Sequence, residues 1–61
     1  MLLDDLVNEA MQALKEAENQ FALYANHHLD KKNTEKAHTN YKFAMMCNTA
    51  FNKLRIYRDE M

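Results

Sequence analysis

Sixty-one residues carrying eight Lys or Arg against nine Asp or Glu, for a net charge of −1, make one small domain with no overall field to attract nucleic acid. Gly and Pro are both absent, which removes the usual punctuation of turns and sheets and excludes a Gly-rich phosphate loop. A single cysteine rules out an internal disulfide and suits a reducing, cytoplasmic setting; no apolar run approaches the roughly 20 residues of a membrane-crossing helix, and the acidic start at Asp4 and Asp5 argues against a secretory signal.

The first predicted element is a helix over about 3–29. Asp4 and Asp5 sit in its first turn, where negative charge complements unpaired amides, and His27 and His28 fall in its last, where imidazole faces free carbonyls. Its interior is rich in Ala, Leu, Met, Glu, Gln and Lys, all good helix formers. A turn over residues 30–33 follows. Asn33 is the expected N-cap of a second helix running from about 34 to 58, with Lys53, Arg55 and Arg58 near its C-terminal end. The fold class is therefore all-α: residues 1–61 form a single domain, an antiparallel two-helix hairpin.

Apolar spacing supports the hairpin. Leu3, Val7, Ala10, Leu14, Ala17, Phe21, Tyr24 and His28 recur at alternating steps of four and three, and Asn40, Phe43, Cys47, Ala50, Leu54, Tyr57 and Met61 repeat the pattern downstream. Folding back at Asn33 sets Phe21 against Phe43, Ala17 against Cys47, Leu14 against Ala50, Ala10 against Leu54, Val7 against Tyr57 and Leu3 against Met61. Several of these pairs join a large residue to a small one, which allows interdigitation. The same register puts Tyr24 opposite Asn40, where a hydroxyl-to-amide hydrogen bond satisfies both, and Glu9 opposite Arg55 with Asp5 near Arg58. Charge also divides between the halves, −4 over residues 1–29 and +3 over 30–61, which favours antiparallel pairing.

The seams leave apolar residues over. Leu6, Met11 and Ala13 on the first helix and Ala37, Tyr41, Ala44 and Phe51 on the second form outlying stripes that a lone hairpin, with only two layers, leaves partly exposed. A chain this short lies near the lower limit for independent folding. These seven residues are accordingly the expected self-association or partner interface, and a homodimer, two hairpins forming a four-helix bundle, is the expected state.

Phe21, Tyr24, Ala25 and His28, followed by Ala37, Tyr41 and Ala44, resemble one unit of the tetratricopeptide repeat family over residues 18–51, with Thr49 where that unit usually carries Pro and with no second copy in the chain. The resemblance implies a protein-binding helical hairpin. It does not imply the groove that several stacked units create.

The remaining chemistry is sparse. His27, His28, Asp30 and His38 cluster near the turn but match no compact ligand spacing, so no metal and no other cofactor is expected. Cys47, in mid-helix, reads as a small buried hydrophobe, and no catalytic residue, enzyme activity or small-molecule substrate is expected. Lys31, Lys32, Lys36 and Lys42 supply an alternative as a nucleic-acid contact, though more simply they rim a solvated turn. The expected function is that of a small non-enzymatic interaction or regulatory module, of the kind a prokaryotic or viral inhibitor or adaptor provides, engaging another protein through an exposed helix face.

Overall fold

A computed structural model describes residues 3–60. Helix α1 spans Leu3–Asp30 and helix α2 spans Thr34–Glu60, packed antiparallel as a hairpin. The helices run one and two residues beyond the C-terminal ends expected from sequence. Met61, and with it the Leu3–Met61 pairing, lies outside the described residues.

The turn resolves how a chain without glycine reverses direction. Lys32 takes the left-handed conformation, with φ of 61°, at the position where glycine usually ends a helix. Its amide donates to the Leu29 carbonyl at 2.9 Å, and the Asn33 amide donates to the His28 carbonyl at 2.8 Å. This is the paired hydrogen-bond pattern of a Schellman motif, and it satisfies carbonyls that the end of α1 would otherwise leave free. Asn33 then caps α2 as expected: its Oδ1 accepts from the Lys36 amide at 3.2 Å, while its own carbonyl accepts from the Ala37 amide at 3.1 Å. One residue thus closes the first helix and opens the second.

The molecule measures 45 × 17 × 9 Å and is a single slab one helix thick. Its radius of gyration is 14.1 Å, whereas a compact domain of this length has about 10.5 Å. It exposes 4814 Å², against about 4,100 Å² for a globular monomer of its mass. Among the described residues no large side chain is fully buried. The interior is narrow: Val7, Met11 and Ala25 from α1 and Ala37 and Ala44 from α2 are its buried residues, strung along the contact line.

The pairing height is the expected one, but both helices are rotated. Phe21 and Phe43 do meet, with ring centroids 5.3 Å apart. Other expected seam residues do not reach the contact line: Ala10 is exposed, as are Tyr24, Phe43 at 43 % and Tyr57 at 49 %. In their place Met11, Ala25, Ala37 and Ala44 are buried. The physical reason is closeness of approach. Helix axes come together most tightly where side chains are smallest, and alanines allow what a line of Phe and Tyr would hold apart.

Three expected polar pairings are corrected along with the rotation. Asn40 does not bond Tyr24; its Nδ2 donates back to the Lys36 carbonyl at 2.8 Å. Arg58 donates to Asn8 Oδ1 at 2.8 Å and lies 3.5 Å from Asp59, in place of a pairing with Asp5. Glu9 and Arg55 do not form an ion pair among the described residues, where the Lys15–Glu18 bridge at 3.0 Å is found instead.

Candidate interaction face

A slab has two broad faces, and cross-helix contacts assign side chains to each. On the first, Asn8, Lys15 and Asn26 follow one line along α1 and reach across to α2. Asn8 accepts from Arg58 near the open end, Lys15 Nζ approaches Asn48 Oδ1 at 3.5 Å in the middle, and Tyr41 donates its hydroxyl proton to Asn26 near the turn. Lys15 Nζ also sits 4.7 Å from the centroid of the Phe51 ring, a cation–π contact that shields it. This is the polar face.

The second face is marked by the Phe21–Phe43 contact. At 3.6 residues per turn, Leu6, Ala10, Ala13, Ala17 and Tyr24 share that side of α1, and Phe43, Ala50 and Tyr57 share it on α2. Leu6 is 52 % exposed and Tyr24 55 %. No hydrogen bond between side chains of the two helices crosses this face among the described residues. Polar side chains bordering it on α2 turn back on their own helix: Thr39 Oγ1 donates to the Glu35 carbonyl and Thr49 Oγ1 to the Met45 carbonyl. Satisfied internally, they do not reach across it to α1.

The seven residues expected to form an interface are therefore split. Leu6 and Ala13 do lie exposed on the apolar face. Tyr41 is exposed but on the polar face, tied to Asn26. Met11, Ala37 and Ala44 are buried inside the hairpin, and Phe51 is half-buried beneath Lys15, so these four belong to its own interior. Ala10, Tyr24, Phe43 and Tyr57, which are exposed, and half-buried Ala50, all assigned from sequence to the hairpin seam, supply the apolar face in their stead. The signal that could have found them was the width of the apolar arc on each helix, which is too broad for one neighbour.

Rotation gives the face its meaning. The mean direction of each sequence-derived seam lies roughly 60–70° from the observed contact line, and both are turned toward the same broad face. Along the outer flank of α2 a shallow, open groove adjoins that face, lined by Lys42, Met45, Met46, Thr49, Ala50 and Lys53.

The other candidates are not gathered into sites. The His27 and His28 rings meet edge to face, centroids 5.7 Å apart. Among the described residues no three of the His, Cys, Asp and Glu side chains come together as a metal-ion site. Cys47 is free and half-buried. Lys31, Lys32 and Lys36 are exposed at the turn, whereas Lys42 stands more than a turn further along α2 on the groove, so the four do not form one patch. No described helix is long and apolar enough to cross a membrane. Comparisons with protein-family models, with curated proteins and with solved structures give no match to this chain.

Proposed function

We propose that this chain is a small non-enzymatic protein–protein interaction module that pairs through its apolar face, two hairpins forming a four-helix bundle, and that it acts as a regulatory inhibitor or adaptor. One observation carries the reading: the apolar arc of α1 is turned to the side of the hairpin on which Phe43 and Tyr57 of α2 stand exposed. In a four-helix bundle each helix touches two neighbours at about a right angle, so its apolar arc bisects them, about 45° from either. A hairpin with the arc of one helix displaced toward a face where its neighbour exposes Phe43 and Tyr57 has the form of half such a bundle. The elongated, thin shape supports the same reading, since a slab one helix thick leaves Leu6, Tyr24, Phe43 and Tyr57 in water. A partner protein offering its own helix pair would meet the same face, so partner binding and self-association compete for it.

Ala13→Glu tests this directly. Ala13 is exposed and Glu is a good helix former, so the hairpin itself tolerates the change. Sedimentation should show the dimer lost while helicity by circular dichroism is retained; a variant with the same mass as the wild type would overturn the proposal. Gln12→Glu, one residue away but off the apolar face, is the control and should leave the mass unaltered.

A further inference from the structure

If the apolar face is covered by a second copy, as proposed above, two symmetric arrangements are available. The hairpins lie with their turns at the same end, which stacks α1 of one copy over α2 of the other, or with their turns at opposite ends, which stacks like helix on like. We infer that the turns lie at the same end and that the groove on α2 receives the row Glu9, Glu16 and Leu23 from α1 of the second copy.

The inference rests on matching heights. Within one hairpin, facing residues have numbers that sum to about 65, as the contacts Phe21–Phe43, Lys15–Phe51, Asn26–Tyr41 and Asn8–Arg58 show. A two-fold axis along the hairpin keeps each residue at the height of its own copy, so the same sum locates α1 of one copy against α2 of the other without adjustment. Glu9, Glu16 and Leu23 recur every seven residues, and all three are exposed on the outer edge of α1, away from α2. Their heights correspond to residues 56, 49 and 42 on α2. Glu9 and Glu16 then bracket Lys53, with Thr49 level with Glu16, and Leu23 lies beside the Lys42 stem and Met46. Every one of these four α2 residues lines the groove. An acidic, acidic, apolar row meets a surface with a lysine at each end: Lys53 stands between the two carboxylates, and the Lys42 stem with Met46 meets Leu23. Near the turns Asp30 stands at the height of Glu35, a like-charge approach surrounded by Lys31, Lys32 and Lys36 of both copies.

The opposite arrangement matches like with like. Reversing one hairpin about its midpoint sets Lys42 beside Lys53 and Glu35 beside Glu60 of the second copy, each pair of the same sign. The apolar residues fit either way, so flanking charge decides the orientation, as it does in paired helices generally.

The turn is the place to measure. With Cys47→Ser to remove the native thiol, Lys31→Cys carries a spin label at the exposed turn, and the distance between labels in the dimer is read by pulsed electron resonance. Same-end packing places the labels within about 25 Å, given helix layers roughly 10 Å apart. Opposite-end packing separates them by nearly the 45 Å length of the molecule. A short distance is the expected result. A dimer with the long distance overturns the orientation while leaving face-to-face pairing intact, and a labelled protein that stays monomeric at every concentration overturns the pairing on which the orientation depends. Glu16→Lys should weaken the dimer about tenfold, and Lys53→Glu in the same chain should restore most of it, because reversing both charges recreates the attraction.

Discussion

The two broad faces of this hairpin are built from the same pair of helices, yet they handle exposure in opposite ways. One is crossed at both ends and in the middle by side chains that bond the partner helix: Arg58 to Asn8, Lys15 toward Asn48, Tyr41 to Asn26. The other has only the Phe21–Phe43 ring contact, with Leu6, Tyr24 and Tyr57 in water. The difference teaches where the hairpin ends and its surroundings begin. A face whose polar groups are satisfied across the helix pair is finished by the hairpin itself. A face of exposed aromatics and alanines at heptad spacing is left unfinished by the hairpin.

Changes at the line where the faces meet should have the largest effect. Met11→Ala removes a buried side chain and should lower stability by about 2–4 kcal/mol in urea unfolding, whereas Met45→Ala, at an exposed position, should change it by less than about 0.5 kcal/mol. Equal costs would mean that the observed contact line is not the core. Next comes Phe43→Ala on the apolar face. It removes the contact with Phe21, costing about 1 kcal/mol within the hairpin. If the face pairs as proposed, it should also reduce the concentration dependence of the wild-type Tm, because a dimer contributes stability by mass action. A loss that is the same at every concentration would separate Phe43 from association.

Smaller effects come from the turn, which holds both faces in register. Asn33→Ala should cost about 1 kcal/mol through loss of the helix cap. Lys32→Gly should raise stability by about 0.5–1 kcal/mol, relief of the left-handed backbone outweighing the added freedom of the unfolded chain. Thermal melts of the two variants should move in opposite directions. Least of all, Tyr41→Phe on the polar face should cost under about 1 kcal/mol, since water can replace an exposed hydrogen bond, and it should leave association unaltered.

Much of the fold was legible in the residues. Helix ends were marked by Asp4 and Asp5, by His27 and His28, and by the capping oxygen of Asn33, all of which act locally and therefore read locally. The pairing height followed from the four-and-three spacing and is seen in the Phe21–Phe43 contact. Rotation about each helix axis was not legible. An arc of apolar residues wide enough for two neighbours points between them, and its centre was mistaken for the line of contact with one. That single ambiguity placed Met11, Ala37, Ala44 and Phe51 outside the hairpin, and Tyr24, Phe43 and Tyr57 within its seam. The cross-helix pairs Tyr24–Asn40 and Glu9–Arg55 depend on the same rotation and are lost with it. The positive φ at Lys32 gave no sequence signal at all, because lysine carries no preference for the left-handed region.

The most direct test of the central claim, that the apolar face is completed by a second copy, is the solution mass of the unmodified protein by light scattering on a sizing column across a tenfold range of concentration. Face-to-face pairing predicts twice the 7.2 kDa chain mass, with dissociation appearing only at the dilute end. A helical, folded species of 7.2 kDa at every concentration would contradict it, leaving Leu6, Tyr24, Phe43 and Tyr57 exposed for a different protein.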